Sequence, residues 1–335
     1  MISFVETVWD DSFDPAIFAP TDPRRVRLRW IGRAKSPNPG PCLILTAGLH
    51  GNEPMGVHAA QNVMKTLRAA DNLRRGDVFA FRGNLTALAL VKRYIDRDLN
   101  RIWAEEHVEE VRKTPRESLY CSEDREMLEL LGVLNYALDE ASGEPFLMDL
   151  HTSSAPSLPF VIGGQGKQFQ AIQDELNAPS VHDPKGYFQG SLFSFAERHG
   201  LSAMAFEAGR HDDEASACIH EIAVWTVLRA LDMVEPTEKY PATMPESAIP
   251  ADMSIPREIE LFHRHGVRPE ESFVMKPGFR NFDRVERGQV IAQDNHGYIH
   301  SPDNGFVFLP LYQQSGEDGF YVGRVARSHS GRSAE

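Results

Sequence analysis

Cysteine is scarce in this chain, with three among 335 residues. Cys42, Cys121 and Cys218 stand far apart, and none belongs to a C-x-x-C pair. That set builds no disulfide framework, so reduced thiols in a cytoplasmic protein are the expectation. Positive charge is also short: 35 lysines and arginines face 48 acids, for a net charge of −13. This balance argues against nucleic acid or an anionic membrane surface as the main partner. It leaves room for a small anionic substrate, because a few local arginines can override the global field. Long apolar runs are missing too. No stretch approaches the roughly 18 consecutive apolar residues that a membrane span needs. Met1 to Asp11 carries no basic region of a secretory signal. What remains, 41% hydrophobic and 25% charged residues, is ordinary globular composition, enough for a large core and two domains. Association into a homo-oligomer stays open.

The chain is organised around Leu43-Ile44-Leu45-Thr46-Ala47-Gly48-Leu49-His50-Gly51-Asn52-Glu53-Pro54. This reads as a buried strand, a glycine-flanked turn and a helix opening at a proline. His50 and Glu53, in His-x-x-Glu spacing, are both metal-ligand types. They sit at the carboxyl end of a strand, where open α/β sheets bind ligands. The reading is that this turn holds a catalytic zinc ion.

Other elements follow from pattern. Val26 to Ile31 alternates apolar and basic residues, as a half-exposed edge strand does. Met55, Ala59, Val63 and Leu67 have helical spacing. Val78-Phe79-Ala80-Phe81, Phe146 to His151, Pro159 to Gly163 and Ala203 to Glu207 read as strands. Helices are expected over Glu123 to about Glu140, with Ser122 as N-cap, over Ser191 to His199, and over Asp213 to about Val234. Residues 84–118 lack strong periodicity. Strands alternating with helices point to an α/β fold with a mostly parallel or mixed sheet flanked by helices. A proline-rich linker over 241–257 then leads to a smaller all-β domain over 258–325, whose Asn-His-Gly and Asp-Asn-Gly turns signal hairpins. Residues 1–240 form the α/β domain in this reading, and 326–335 a frayed tail.

Four clusters carry chemistry. His50-x-x-Glu53 offers two of the three protein ligands that catalytic zinc commonly takes. Asp149-Leu150-His151-Thr152 ends a buried strand, and period two places Asp149 and His151 on one face. Asp149 can then fix the tautomer of a ligating histidine. Arg93-Tyr94-Ile95-Asp96-Arg97-Asp98-Leu99-Asn100-Arg101 can grip carboxylates and an oxyanion. Glu207, in Phe206-Glu207-Ala208-Gly209, stands where a general base toward metal-activated water belongs. Each cluster alone also fits a structural role, as solvated loop residues or strand-end caps, most readily so for the charged run Arg93 to Arg101.

In this order the motifs resemble the succinylglutamate desuccinylase/aspartoacylase family, itself similar to zinc carboxypeptidases. The resemblance covers about 42–210, and more loosely Phe282 to Val322. It implies that His50, Glu53 and His151 ligate one zinc ion and that Glu207 is general base and then acid. It implies further that Arg93 polarises the scissile carbonyl, and that Asn100 and Arg101 bind the substrate carboxylate. A tyrosine from the β domain completes the family's substrate site. Tyr321 and Tyr312 are the candidates, with Tyr321 preferred. The family also places an arginine near the strand before the catalytic glutamate. Only Arg198 stands in that region, without a clear match. The expectation is a zinc-dependent amidohydrolase that removes an acyl group from an N-acyl amino acid or related small molecule. A carboxypeptidase acting on short peptides and a non-catalytic binding relative remain as alternatives. A β domain folded over the site favours small substrates, and one folded away favours peptides.

Overall fold

The structure is a computed structural model that describes residues 23–70, 72–164, 166–235 and 255–326. The N-terminal lead-in, most of the proline-rich linker and the tail lie outside the described residues.

The core is a twisted sheet of eleven strands. Its first half alternates with helices: β1 (Trp30–Lys35), β2 (Cys42–Ala47), α2 (Met55–Ala70), β3 (Asp77–Arg82), α5 (Ser122–Glu140), β4 (Pro145–Ser153), β5 (Phe160–Gly163), α6 (Gly166–Leu176), β6 (Ser180–His182), α7 (Leu192–Arg198), β7 (Ser202–Arg210) and α8 (Ala215–Ala230). A helix α1 (Pro23–Arg29) precedes β1, and α3 (Leu85–Leu90) and α4 (Glu105–Lys113) lie between β3 and α5. The strands β3, β2, β4 and β7 run parallel at the centre, with β1 and β5 antiparallel beside them. Each central strand is buried on both faces, and side chains alternate between two cores. Leu43, Leu45, Phe146 and Met148 pack on the side of α2 and α8, while Ile44 and Leu147 pack on the side of α5. Continuous apolar runs rather than alternation are what such strands need.

The same sheet continues into the C-terminal half. Strand β8 (Glu258–Gly266) pairs in parallel with β6, and β14 (Asp318–Val325), β13 (Gly305–Phe308) and β10 (Arg284–Val285) follow it outward. The remaining strands, β9 (Val274–Met275), β11 (Val290–Asp294) and β12 (Gly297–His300), form a separate small sheet. Asn295 and His296 make the turn of the β11–β12 hairpin, with Asp294 opposite Gly297. Met275 and Ile291 of the small sheet share a core with Val307, Phe320 and Val322 of β13 and β14. Tyr321 points the other way and joins the main core. Among the described residues no helix is long and apolar enough to cross a membrane.

Two local expectations are corrected. Residues 26–29 form the end of α1 rather than an edge strand, which begins only at Trp30. Arg25 and Arg29, four apart, share a helical face and both reach Glu126 and Glu129 on α5. Those buried ion pairs override the period-two pattern. Ser122 is the first residue of α5 and not its cap: Cys121 holds the cap position without a side-chain bond. The Ser122 amide instead donates to Asp96 Oδ2 at 2.7 Å, so a neighbouring loop satisfies the helix start.

Candidate metal and catalytic site

The site forms on one face of the sheet, at the carboxyl ends of β2, β4 and β7. After β2 the chain turns at Gly48, whose φ of 71° suits glycine. The turn passes so close to α3 that a Cβ on Gly51 would fall 2.0 Å from the Ala87 carbonyl carbon. These glycines let His50 and Glu53 face inward, both buried. His151 lies near the end of β4, and the register sets it opposite Glu207 of β7.

The ligand-type atoms of His50, Glu53 and His151 lie within 4.8 Å of one another. Glu53 Oε1 is 2.7 Å from His50 Nδ1, and its Oε2 is 3.0 Å from His151 Nδ1. The other nitrogen of each ring has its own carboxylate. His50 Nε2 is 3.0 Å from Asp98 Oδ1, and His151 Nε2 is 2.7 Å from Asp149 Oδ2. With the Nε2 protons donated to those carboxylates, both Nδ1 lone pairs and both Glu53 oxygens aim at one region. Such an arrangement demands positive charge there, and two imidazoles with one carboxylate are a donor set that zinc takes. The same field acts on protons. Burial works against a charged His151 ring, but Asp149 and Glu53 outweigh it and raise its pKa. Burial alone would raise the Glu53 pKa, and the two histidines bring it well below the usual range.

Each orienting carboxylate is itself held. Thr46 Oγ1, on the neighbouring strand, donates to Asp149 Oδ1 at 2.7 Å. Asp98 receives the Arg93 guanidinium on Oδ2 at 2.8–2.9 Å. Arg93 also lies 3.6 Å from Glu53 Oε1, so Asp98 ties the arginine and His50 into one unit. Asn100 Nδ2 is 3.3 Å from His151 Nε2, and its Oδ1 accepts from the Leu192 amide at the start of α7.

Glu207 is buried, and its Oε2 has no hydrogen-bond partner. Burial pushes its carboxyl up to about 8, with Glu53 and Asp149 adding to the rise and His151 and Arg93 opposing it. It lines a cavity of about 70 Å³ together with His50, Glu53, Arg93, Arg101 and His151. Leu309, Gln313, Glu317, Asp318 and Tyr321, from the C-terminal half, form the opposite wall. Asn52 Nδ2 donates to Gln313 Oε1 at 2.7 Å, fastening that wall to the His50–Glu53 turn.

The catalytic-domain model of the succinylglutamate desuccinylase/aspartoacylase family matches residues 39–220. The chain belongs to that family. It is similar to a succinylglutamate desuccinylase from Pseudomonas syringae pv. tomato, 23% identical over 291 residues and 80% of each chain. A human N-acyl-aromatic-L-amino acid amidohydrolase (carboxylate-forming) is 34% identical over 115 residues, a third (33%) of either chain. Among solved structures, a succinylglutamate desuccinylase/aspartoacylase from Rhodobacter sphaeroides shares the fold, with a TM-score of 0.62 at 17% identity over 88% of each chain.

Within this family frame, most of the residues singled out from sequence line or adjoin the same cavity. His50, Glu53, His151, Glu207, Arg93, Asn100, Arg101 and Tyr321 line it, and Asp149 sits behind His151. Tyr312 instead bonds Lys276 O and the Phe279 amide. Arg198 does not reach the cavity: it donates to the Gln189 and Trp103 carbonyls. Arg101 is differently engaged from the expectation. Its Nε and Nη2 donate to Asp318 Oδ2 at 2.9 and 2.7 Å, and its Nη1 to Asn100 O at 2.7 Å. Three residues escaped the sequence reading. Asp98 lay unassigned within a charged run. Asp318 and His211 had no motif to mark them; His211 lines the cavity with Nδ1 2.8 Å from Thr152 Oγ1.

Proposed function

We propose that this chain is an amidohydrolase that uses one zinc ion to cleave the amide bond of a small N-acyl amino acid, releasing a carboxylate and an amine. The family relationship and the names of its relatives support acyl-amino-acid hydrolysis. The observation that carries the reading is Glu207: a buried, unpartnered carboxyl facing the converged donors of His50, Glu53 and His151.

Zinc held by those three residues would supply Lewis acidity, lowering the pKa of a water toward about 7 and drawing charge from the scissile carbonyl. The protein's own groups do the rest. Glu207 takes the proton of the attacking water at Oε2 and passes it to the leaving nitrogen. Its environment favours holding that proton between the two steps. Arg93, held rigid by Asp98, presents positive charge at the cavity wall where the carbonyl oxygen becomes negative. Two of the five N–H donors of Arg101 remain after the three engaged ones, and Arg101 lines the cavity, so these would bind the substrate carboxylate.

A peptidase needs an open cleft, whereas here the C-terminal wall closes a small cavity, which favours short substrates. A pure binder has no use for an unpaired buried Glu207. Replacing Glu207 by Gln will keep the metal stoichiometry, measured by elemental analysis, and lower kcat by about 10²–10⁴ on an N-acyl amino acid. Unchanged turnover removes this mechanism. Faster cleavage of free dipeptides than of N-acyl amino acids turns the reading to a peptidase.

A further inference from the structure

Within the deacylase reading, the pocket's charge balance names the substrate class. Apart from its histidines, the cavity is lined by two basic side chains among the described residues, Arg93 and Arg101. Asp98 occupies the fork of Arg93 and Asp318 that of Arg101, and Asp318 is shared with Arg264. Glu317 and Glu207 add two acidic side chains, and among the described residues neither forms an ion pair with a side-chain cation. Uncharged polar groups line part of the wall, among them Thr152, Ser153, Ser191 and Gln313, and one stretch is apolar. Ala205 lies two residues before Glu207 on β7, so it shares that face, and the position offers only a methyl group. Ile162 is its neighbour across the β5–β7 pair. Phe193 and Phe188 extend the apolar surface, with the Phe188 ring 5.0 Å from that of Tyr321.

We propose that this cavity selects N-acyl amino acids with an apolar side chain and a single carboxylate, and rejects those with a second carboxylate. One carboxylate finds the two remaining donors of Arg101. A second would lose its hydration against Ile162, Ala205 and Phe193, with no free cation to replace it and acids close by. A charge buried without a partner costs several kcal/mol, far more than a methylene contact contributes.

The experiment compares N-acetyl-leucine with N-acetyl-aspartate, which are close in shape and differ in charge, and adds N-succinyl-glutamate. Turnover is measured on the zinc-loaded enzyme, and binding by titration calorimetry on the zinc-loaded Glu207→Gln variant. N-acetyl-leucine is expected to lead N-acetyl-aspartate by at least about a hundredfold in kcat/KM and in affinity. Equal or better use of either dicarboxylic compound overturns the proposal. Preferential binding of N-acetyl-leucine without turnover of any compound keeps the selectivity and removes the deacylase reading. No binding of N-acetyl-leucine overturns the selectivity. In Phe193→Ala the kcat/KM for N-acetyl-leucine will fall about tenfold while that for N-acetyl-aspartate stays within twofold. An equal loss on both compounds makes Phe193 a structural residue only and counts against the proposal.

Discussion

Asp149 accepts from Thr46 on one oxygen and faces His151 on the other. That double attachment makes it an orienter, because the carboxylate cannot swing away to leave the imidazole free. Asp149→Asn keeps the shape but reverses a donor and an acceptor. Zinc affinity is expected to fall about 10–100-fold, read by competition with a chelator. Asp98→Asn should do the same through His50, and should also lower kcat because Arg93 loses its holder. If Asp98→Asn weakened metal binding without touching kcat, Arg93 would not depend on it. At this scale the sequence was most legible where function repeats a spacing. His-x-x-Glu announces two donors on one turn, and Asp-x-His a donor and its orienter on one strand face. Asp98 gave no such sign: nothing in a run of alternating charges says which acid meets which base. Asp318 lies 217 residues from the arginine that it engages, beyond any local pattern.

At the scale of elements, α5 carries three buried glutamates three residues apart. Glu123 accepts from the Ile95, Asp96 and Arg97 amides, which fixes the loop between Arg93 and Asp98. Glu126 and Glu129 bind Arg25 and Arg29 of α1. The spacing along α5 is readable as a helix, but nothing in the local pattern marks its acids as buried. Likewise Arg27 and Arg29, alternating with apolar residues, carry the pattern of the exposed side of a strand although they lie on α1. Burial would raise the Glu126 carboxyl, yet Arg29 and Arg25 hold it at about 2 against an ordinary 4.5. A depressed carboxylate stabilises the fold fully above 4.5, and the contribution disappears as pH falls through 2. Glu126→Gln should therefore cost about 3 kcal/mol at pH 7, and the gap from wild type should narrow steadily below pH 4.5 in urea unfolding. A gap independent of pH would mean that Glu126 acts by shape alone.

For the whole molecule the sequence suggested an α/β unit followed by a β unit, whereas hydrogen bonds run through both in one sheet. The link is β6, only three residues long, paired with β8. A strand that short has no periodic signature, so no reading of hydrophobicity could announce it. Tyr321, Ile259 and Phe308 also share the core of the first half. Calorimetry should accordingly show one unfolding transition for the zinc-loaded chain. Two well-separated transitions would mean that the β6–β8 pairing carries little energy.

The reaction chamber is built across that seam, with His151 from β4 on one side and Tyr321 from β14 on the other. Whatever fills the chamber must therefore zip the two halves together. A bound inhibitor should slow amide exchange at Tyr321 as much as at His151, although the two lie 170 positions apart (321 less 151) in the chain.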